Sequence, residues 1–101
     1  MMMNSIELRT RVLLSLQCAL LGEITPNVRG ITCRWDTSEI MIVCYLQGEV
    51  SEDIEESMAC VATEVMADFP EHQVEIACKE LNEPEPLNPY TLSAWVYRRK
   101  E

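Results

Sequence analysis

The run Ile40–Leu46, reading IMIVCYL, is apolar on both of the faces that a β-strand presents. Successive side chains of a strand point to opposite sides. Such a run must therefore be covered twice, and strands of that kind are usually central to a sheet. The rest of the chain has to supply neighbours for it on both edges and cover for it on both faces.

On its N-terminal side, the turn at Thr25–Asn27 leads into VRGITCRW, which alternates with Ile31, Cys33 and Trp35 on one side and Gly30, Thr32 and Arg34 on the other. This predicts a half-buried strand with Trp35 in the core. DTSE, of hairpin length, joins it to Ile40–Leu46. On the C-terminal side Gly48 ends the apolar run. Ser51 is an N-cap with Glu52 and Asp53 behind it, where carboxylates oppose the positive end of the helix dipole. Ile54, Met58, Val61, Val65 and Phe69 then recur at helical spacing as far as Pro70, an amphipathic helix whose Glu52, Asp53, Glu55, Glu56 and Glu64 face water.

QVEIACKEL, Gln73–Leu81, alternates again and predicts a third strand with Val74, Ile76 and Cys78 inward and Glu75 and Lys79 outward. The proline-rich NEPEPLNP predicts an extended connector. TLSAWVYRR is β-prone and adds an edge strand, in which Trp95 and Tyr97 alternate with Ala94 and Val96 and either pair can face the core. Ser5–Leu21 has helical periodicity through Val12, Leu13, Leu16, Ala19 and Leu20 and is stopped by Gly22. Leu14 and Leu21 widen its stripe, so that this helix is either deeply buried or partly an oligomer contact. The order is α-β-β-α-β-(β). It predicts an α+β fold in two layers, a mixed or antiparallel sheet of three or four strands under two helices, in a single domain spanning 1–101.

The apolar stretch Val12–Leu21 is interrupted by Ser15, Gln17 and Cys18, preceded by Glu7 and followed by no A-x-A-like site. It falls short of the roughly 20 residues needed to cross a bilayer and reads as a core helix of a cytosolic protein. Cys18, Cys33, Cys44, Cys60 and Cys78 are an odd number without a C-x-x-C pair, unlike a disulfide framework or a zinc site. Each lies in or beside an apolar pattern and is expected as a small buried hydrophobe in a reducing compartment.

Charge divides the chain more sharply. Residues 1–48 carry four basic and four acidic side chains, residues 49–85 carry one and twelve, and residues 86–101 carry three and one. The whole net charge of −9 therefore arises in the middle segment. Such a field repels nucleic-acid backbones and anionic membranes and attracts a basic protein partner.

Catalytic and cofactor chemistry finds little support. His72 is the only histidine, with no partner motif around it, and no G-x-G-x-x-G, Walker loop or H-E-x-x-H occurs. The acidic group Glu49, Glu52, Asp53, Glu55 and Glu56 lacks the glycine and the ligand spacing of an EF-hand, and a helix fans its carboxylates apart. The expectation is a non-enzyme with neither cofactor nor metal. Its binding candidates are Glu49, Glu52, Asp53, Glu55, Glu56, Glu71 and Glu75, with Trp95 and Tyr97 open to packing and to contact alike.

TPNVRGIT, Trp35 with its hairpin, YLQGEVSEDIEE, VATEVMADFPE, PEPL and WVYRRKE together resemble a family of short acidic bacterial proteins. In length and motif order that family is similar to immunity proteins, cytosolic inhibitors that protect a cell from a toxin domain, including those of contact-dependent growth inhibition systems. The resemblance runs from Leu20 to Glu101. It implies an immunity protein that neutralises a cognate toxin, a nuclease whose basic substrate groove an acidic surface would meet. The alternative is a structural or regulatory homo-oligomer, a homodimer through the first helix and the Trp95 edge.

Overall fold

The computed structural model describes residues 4–101. Its elements run α1 (Ser5–Ala19), β1 (Val28–Trp35), β2 (Glu39–Leu46), α2 (Glu52–Asp68), β3 (Gln73–Glu80) and β4 (Ala94–Arg98). They form an α+β fold with a mixed four-stranded sheet in the order β3-β2-β1-β4. β1 pairs antiparallel with β2 and with β4, whereas β3 is parallel to β2, as a helical crossover through α2 requires.

The run that is apolar on both faces is an interior strand. On one face Ile40, Ile42, Cys44 and Leu46 meet Leu8, Val12 and Leu16 of α1 and Met58, Val61 and Val65 of α2 in the main core. On the other, Val43 and Tyr45 pack with Leu81, Leu87, Leu92 and Trp95 in a second, smaller cluster. This second cover comes from the segment after β3, which must cross the back of the sheet from one edge to the other to reach β4.

That crossing alters what alternation predicts for β1. The strand is not half-buried. Thr32 on the supposedly open face is fully buried, accepting a hydrogen bond from Leu92 N–H at 3.0 Å and donating to the Ala94 carbonyl at 2.8 Å. The connector is also not extended throughout, since Asn88–Tyr90 forms a 3-10 turn with a proline in its opening positions, where no amide hydrogen is needed.

Both helices start as expected. The Asn4 side chain accepts the Glu7 amide at 2.8 Å, and Ser51 Oγ accepts the Ile54 amide at 3.2 Å. The first helix is not deeply buried, because Leu14 on α1 is 58% exposed and Leu21, just past its end, 78% exposed. Two cysteine expectations also fail: Cys18 and Cys60 lie on the outer faces of α1 and α2, while Cys33 and Cys44 are buried and Cys78 is half-buried. The apolar neighbours that suggested burial belong to helices, whose periodicity can place any one residue of an apolar window in solvent.

A buried arginine closes the molecule. Arg29 occupies the register shift between Val28 and Gly30 and is 2% exposed. Its guanidinium donates to the carbonyls of Leu81 (2.6 Å) and Glu85 (2.8 Å) and makes a two-pronged pair with the Glu101 carboxylate (2.8 and 2.9 Å). Arg99 bridges Glu101 and Glu83 beside it.

Candidate partner-binding surface

The acidic side chains of α2 project outward because Ile54, Met58, Val61 and Val65 hold the opposite stripe in the core. Glu52, Asp53 and Glu55 occupy the first turn, where unpaired amides favour negative charge. Glu56 is one residue further on, and Glu49 follows the tight turn at Gly48, whose φ of +83° suits glycine. These five carboxylates form one exposed group at the end of the molecule where β2 and β3 finish.

Glu71 does not belong to that group. It lies past the far end of α2, about 25 Å away at the rise of a 17-residue helix. Glu75 stands opposite Met41 on β3 and faces away from α2, while its neighbours Val74 and Ile76 turn toward the main core. Among the described residues, ion pairs join Glu83 and Glu101 to arginines, and none neutralises Glu49, Glu52, Asp53, Glu55, Glu56, Glu71 or Glu75.

Trp95 and Tyr97 lie on the opposite edge strand and on opposite faces of it. A register shift sets Tyr97 against Ile31 but Trp95 against Thr32, leaving Val96 as the extra residue of a bulge. Trp95 joins the back cluster, with its indole N–H donating to Thr91 Oγ1 at 2.8 Å. Tyr97 and Val96 line a groove of about 380 Å³ beside Leu14, Leu20, Leu21 and Ile24. The bulge breaks the two-residue period that would keep Trp95 and Tyr97 together.

His72 has a structural setting. Its ring meets Phe69 edge-on at 5.2 Å, and Nε2 lies 3.1 Å from the Asp36 carbonyl oxygen. Since that oxygen can only accept, Nε2 carries the proton. The bond ties the end of α2 to the β1–β2 turn. Among the described residues no three His, Cys, Asp or Glu side chains are grouped to hold a metal ion, and no helix is long and apolar enough to cross a membrane.

What the sequence reading did not single out is Arg29. An arginine on a strand ordinarily reads as an outward-facing residue; only its position at a bulge, beneath the returning chain, buries it.

Comparison with known families matches residues 9–101 to the family described as MafI2 immunity protein. No curated protein matches the chain.

Proposed function

The chain belongs to the MafI2 immunity protein family, and from that premise we propose that it binds and neutralises a cognate bacterial toxin domain. It acts by occlusion and has no chemistry of its own. The toxin is a nuclease, whose groove must be basic to hold a phosphate backbone, and it is met by the acidic surface of this protein. The setting is a contact-dependent growth inhibition system, with the immunity protein working in the cytoplasm of the cell it protects as a single domain of residues 1–101.

One observation carries this reading beyond family membership. Five exposed carboxylates, Glu49, Glu52, Asp53, Glu55 and Glu56, lie at one end of α2, and among the described residues no ion pair neutralises them. Such a field raises the encounter rate with a basic surface by about 10–1000-fold at low salt. Glu71 and Glu75 extend the field to other parts of the surface.

Co-expression with the cognate toxin domain tests the proposal. The expected outcome is restored growth and a complex whose association slows steeply as salt rises. Failure to protect against that toxin would remove the immunity reading; protection with salt-independent association would remove its electrostatic basis.

A second reading has its own support. Leu14 and Leu21 are exposed beside the groove lined by Val96 and Tyr97, which suits a homodimer through α1. Sedimentation as a monomer at high concentration discards it.

A further inference from the structure

The two edges of the sheet are unequal. β4 has five residues, carries a bulge, ends on Arg98 and runs directly into Arg99 and Lys100. Bulges, short length and basic charge are the ordinary means by which an edge resists pairing with another strand. β3 has none of the three in full: eight residues run in unbroken register with β2, with Lys79 as their one cation.

The direction of its outward backbone groups follows from its ladder. Gln73 N–H donates to the Ser38 carbonyl at 2.9 Å and Leu81 N–H to the Leu46 carbonyl at 2.8 Å. Alternation between those two bonds assigns the amides of Glu75, Ala77 and Lys79 to β2 as well. The amides of Val74, Ile76, Cys78 and Glu80 therefore point off the edge, away from the sheet.

The cover above this edge is incomplete. Ile42 and Cys44 of β2 are fully buried, yet their register partners Ile76 and Cys78 are only half-buried under the same helix. Between α2 and β3 lies a cleft of about 410 Å³, floored by Met58, Ile76 and Cys78 and edged by Glu55. An apolar floor with a carboxylate at its rim suits the aliphatic stem and cationic tip of lysine or arginine. Glu75 offers a second carboxylate on the opposite face of the strand.

We infer that β3 is a docking edge for an extended basic segment of the toxin, which adds a fifth strand to the sheet and seats a lysine or arginine in the cleft beneath Glu55. Backbone pairing supplies affinity and the alternating side chains supply selectivity. A second copy of this chain is a poor occupant, because two β3 edges would bring together two segments that each hold twelve acidic side chains against one basic. The identification of the partner as a toxin rests on the immunity reading; the chemistry of the edge does not.

Hydrogen exchange by nuclear magnetic resonance on the intact chain tests this with a capped octapeptide of alternating lysine and valine, and a glutamate–valine peptide as control. At ten times its Kd, the basic peptide is expected to slow exchange at Val74, Ile76, Cys78 and Glu80 by about tenfold. The inward amides of Glu75, Ala77 and Lys79 should change little. In the variant Glu55→Lys with Glu75→Lys the preference passes to the acidic peptide. Protection elsewhere, equal response to both peptides or no binding at all overturns the inference. A chain that takes the peptide on β3 but fails to neutralise its toxin loses the immunity reading and keeps the edge site. One that neutralises the toxin while the outward β3 amides still exchange freely keeps the immunity reading and loses the edge.

Discussion

The ring of Trp95 lies directly over Gly30: a methyl group at that glycine would stand 2.7 Å from Trp95 Cζ3 and 3.4 Å from Leu87 Cδ1. Gly30 thus serves β1 by absence of a side chain, letting the returning chain close on the back of the sheet.

Gly30→Ala is accordingly expected to lower stability by about 1–3 kcal/mol through overpacking, with a shift in tryptophan fluorescence. Because the cost arises from one ring, Trp95→Leu in the same molecule should recover part of it. Denaturant unfolding of the two single variants and the double variant measures the coupling; strictly additive losses would show that Trp95 is not the obstacle.

Arg29 and Glu101 give the next expectation. Arg29→Ala removes a buried side chain that also serves the Leu81 and Glu85 carbonyls and should cost about 2–4 kcal/mol, whereas Glu101→Gln, at a side chain that stays partly open to water, should cost less, about 1–2 kcal/mol. Equilibrium unfolding in urea distinguishes the two. Equal and small losses would mean that the returning chain is held by apolar contact alone.

Stability should also fall in acid for an identifiable reason. Hydrogen bonding from Arg29 holds the Glu101 carboxyl below its ordinary range, and amide hydrogen bonds from Ser38 and Glu39 do the same for Asp36. A carboxyl with a lowered folded pKa contributes stability that is full above the unfolded value of about 4 and disappears as pH falls through the folded one. Thermal melts between neutral pH and pH 3 should therefore decline less steeply for Asp36→Asn combined with Glu101→Gln than for the unaltered chain.

The exposed and the buried thiols should separate kinetically. Cys18 and Cys60 are exposed and should react with an alkylating reagent in the native state. Burial pushes the Cys33 thiol up to about 11, and Cys44 is also raised, by its hydrogen bond with Cys78 and by burial. Those two should react only on unfolding, since the thiolate is the nucleophile. Mass spectrometry of partially labelled protein reads the order directly.

For the acidic group, replacing Glu52, Asp53, Glu55 and Glu56 by their amides should slow association with the toxin by about tenfold or more at low salt. The difference should close at high ionic strength as screening removes it. Stopped-flow association rates across a salt series give the answer. A uniform loss at every salt concentration would point to direct contacts without steering.

Local chemistry by itself determined the element order, the helix cap at Ser51, the strand stop at Gly48, the amphipathic face of α2 and the central place of Ile40–Leu46, because each depends on periodicity and on residues a few positions apart. It also determined that the net negative charge arises within residues 49–85. Only the tertiary structure decided which surfaces meet. The chain between β3 and β4 crosses the back of the sheet, burying Thr32 and Arg29, and a single bulge at Val96 sends Trp95 and Tyr97 to opposite faces. Acidic residues of one chain segment were likewise parted: the length of α2 carries Glu71 away from Glu52, and the pleat of β3 turns Glu75 from the helix. A pattern along the chain reports which side of its own element a residue occupies, but what covers that side depends on elements tens of residues distant.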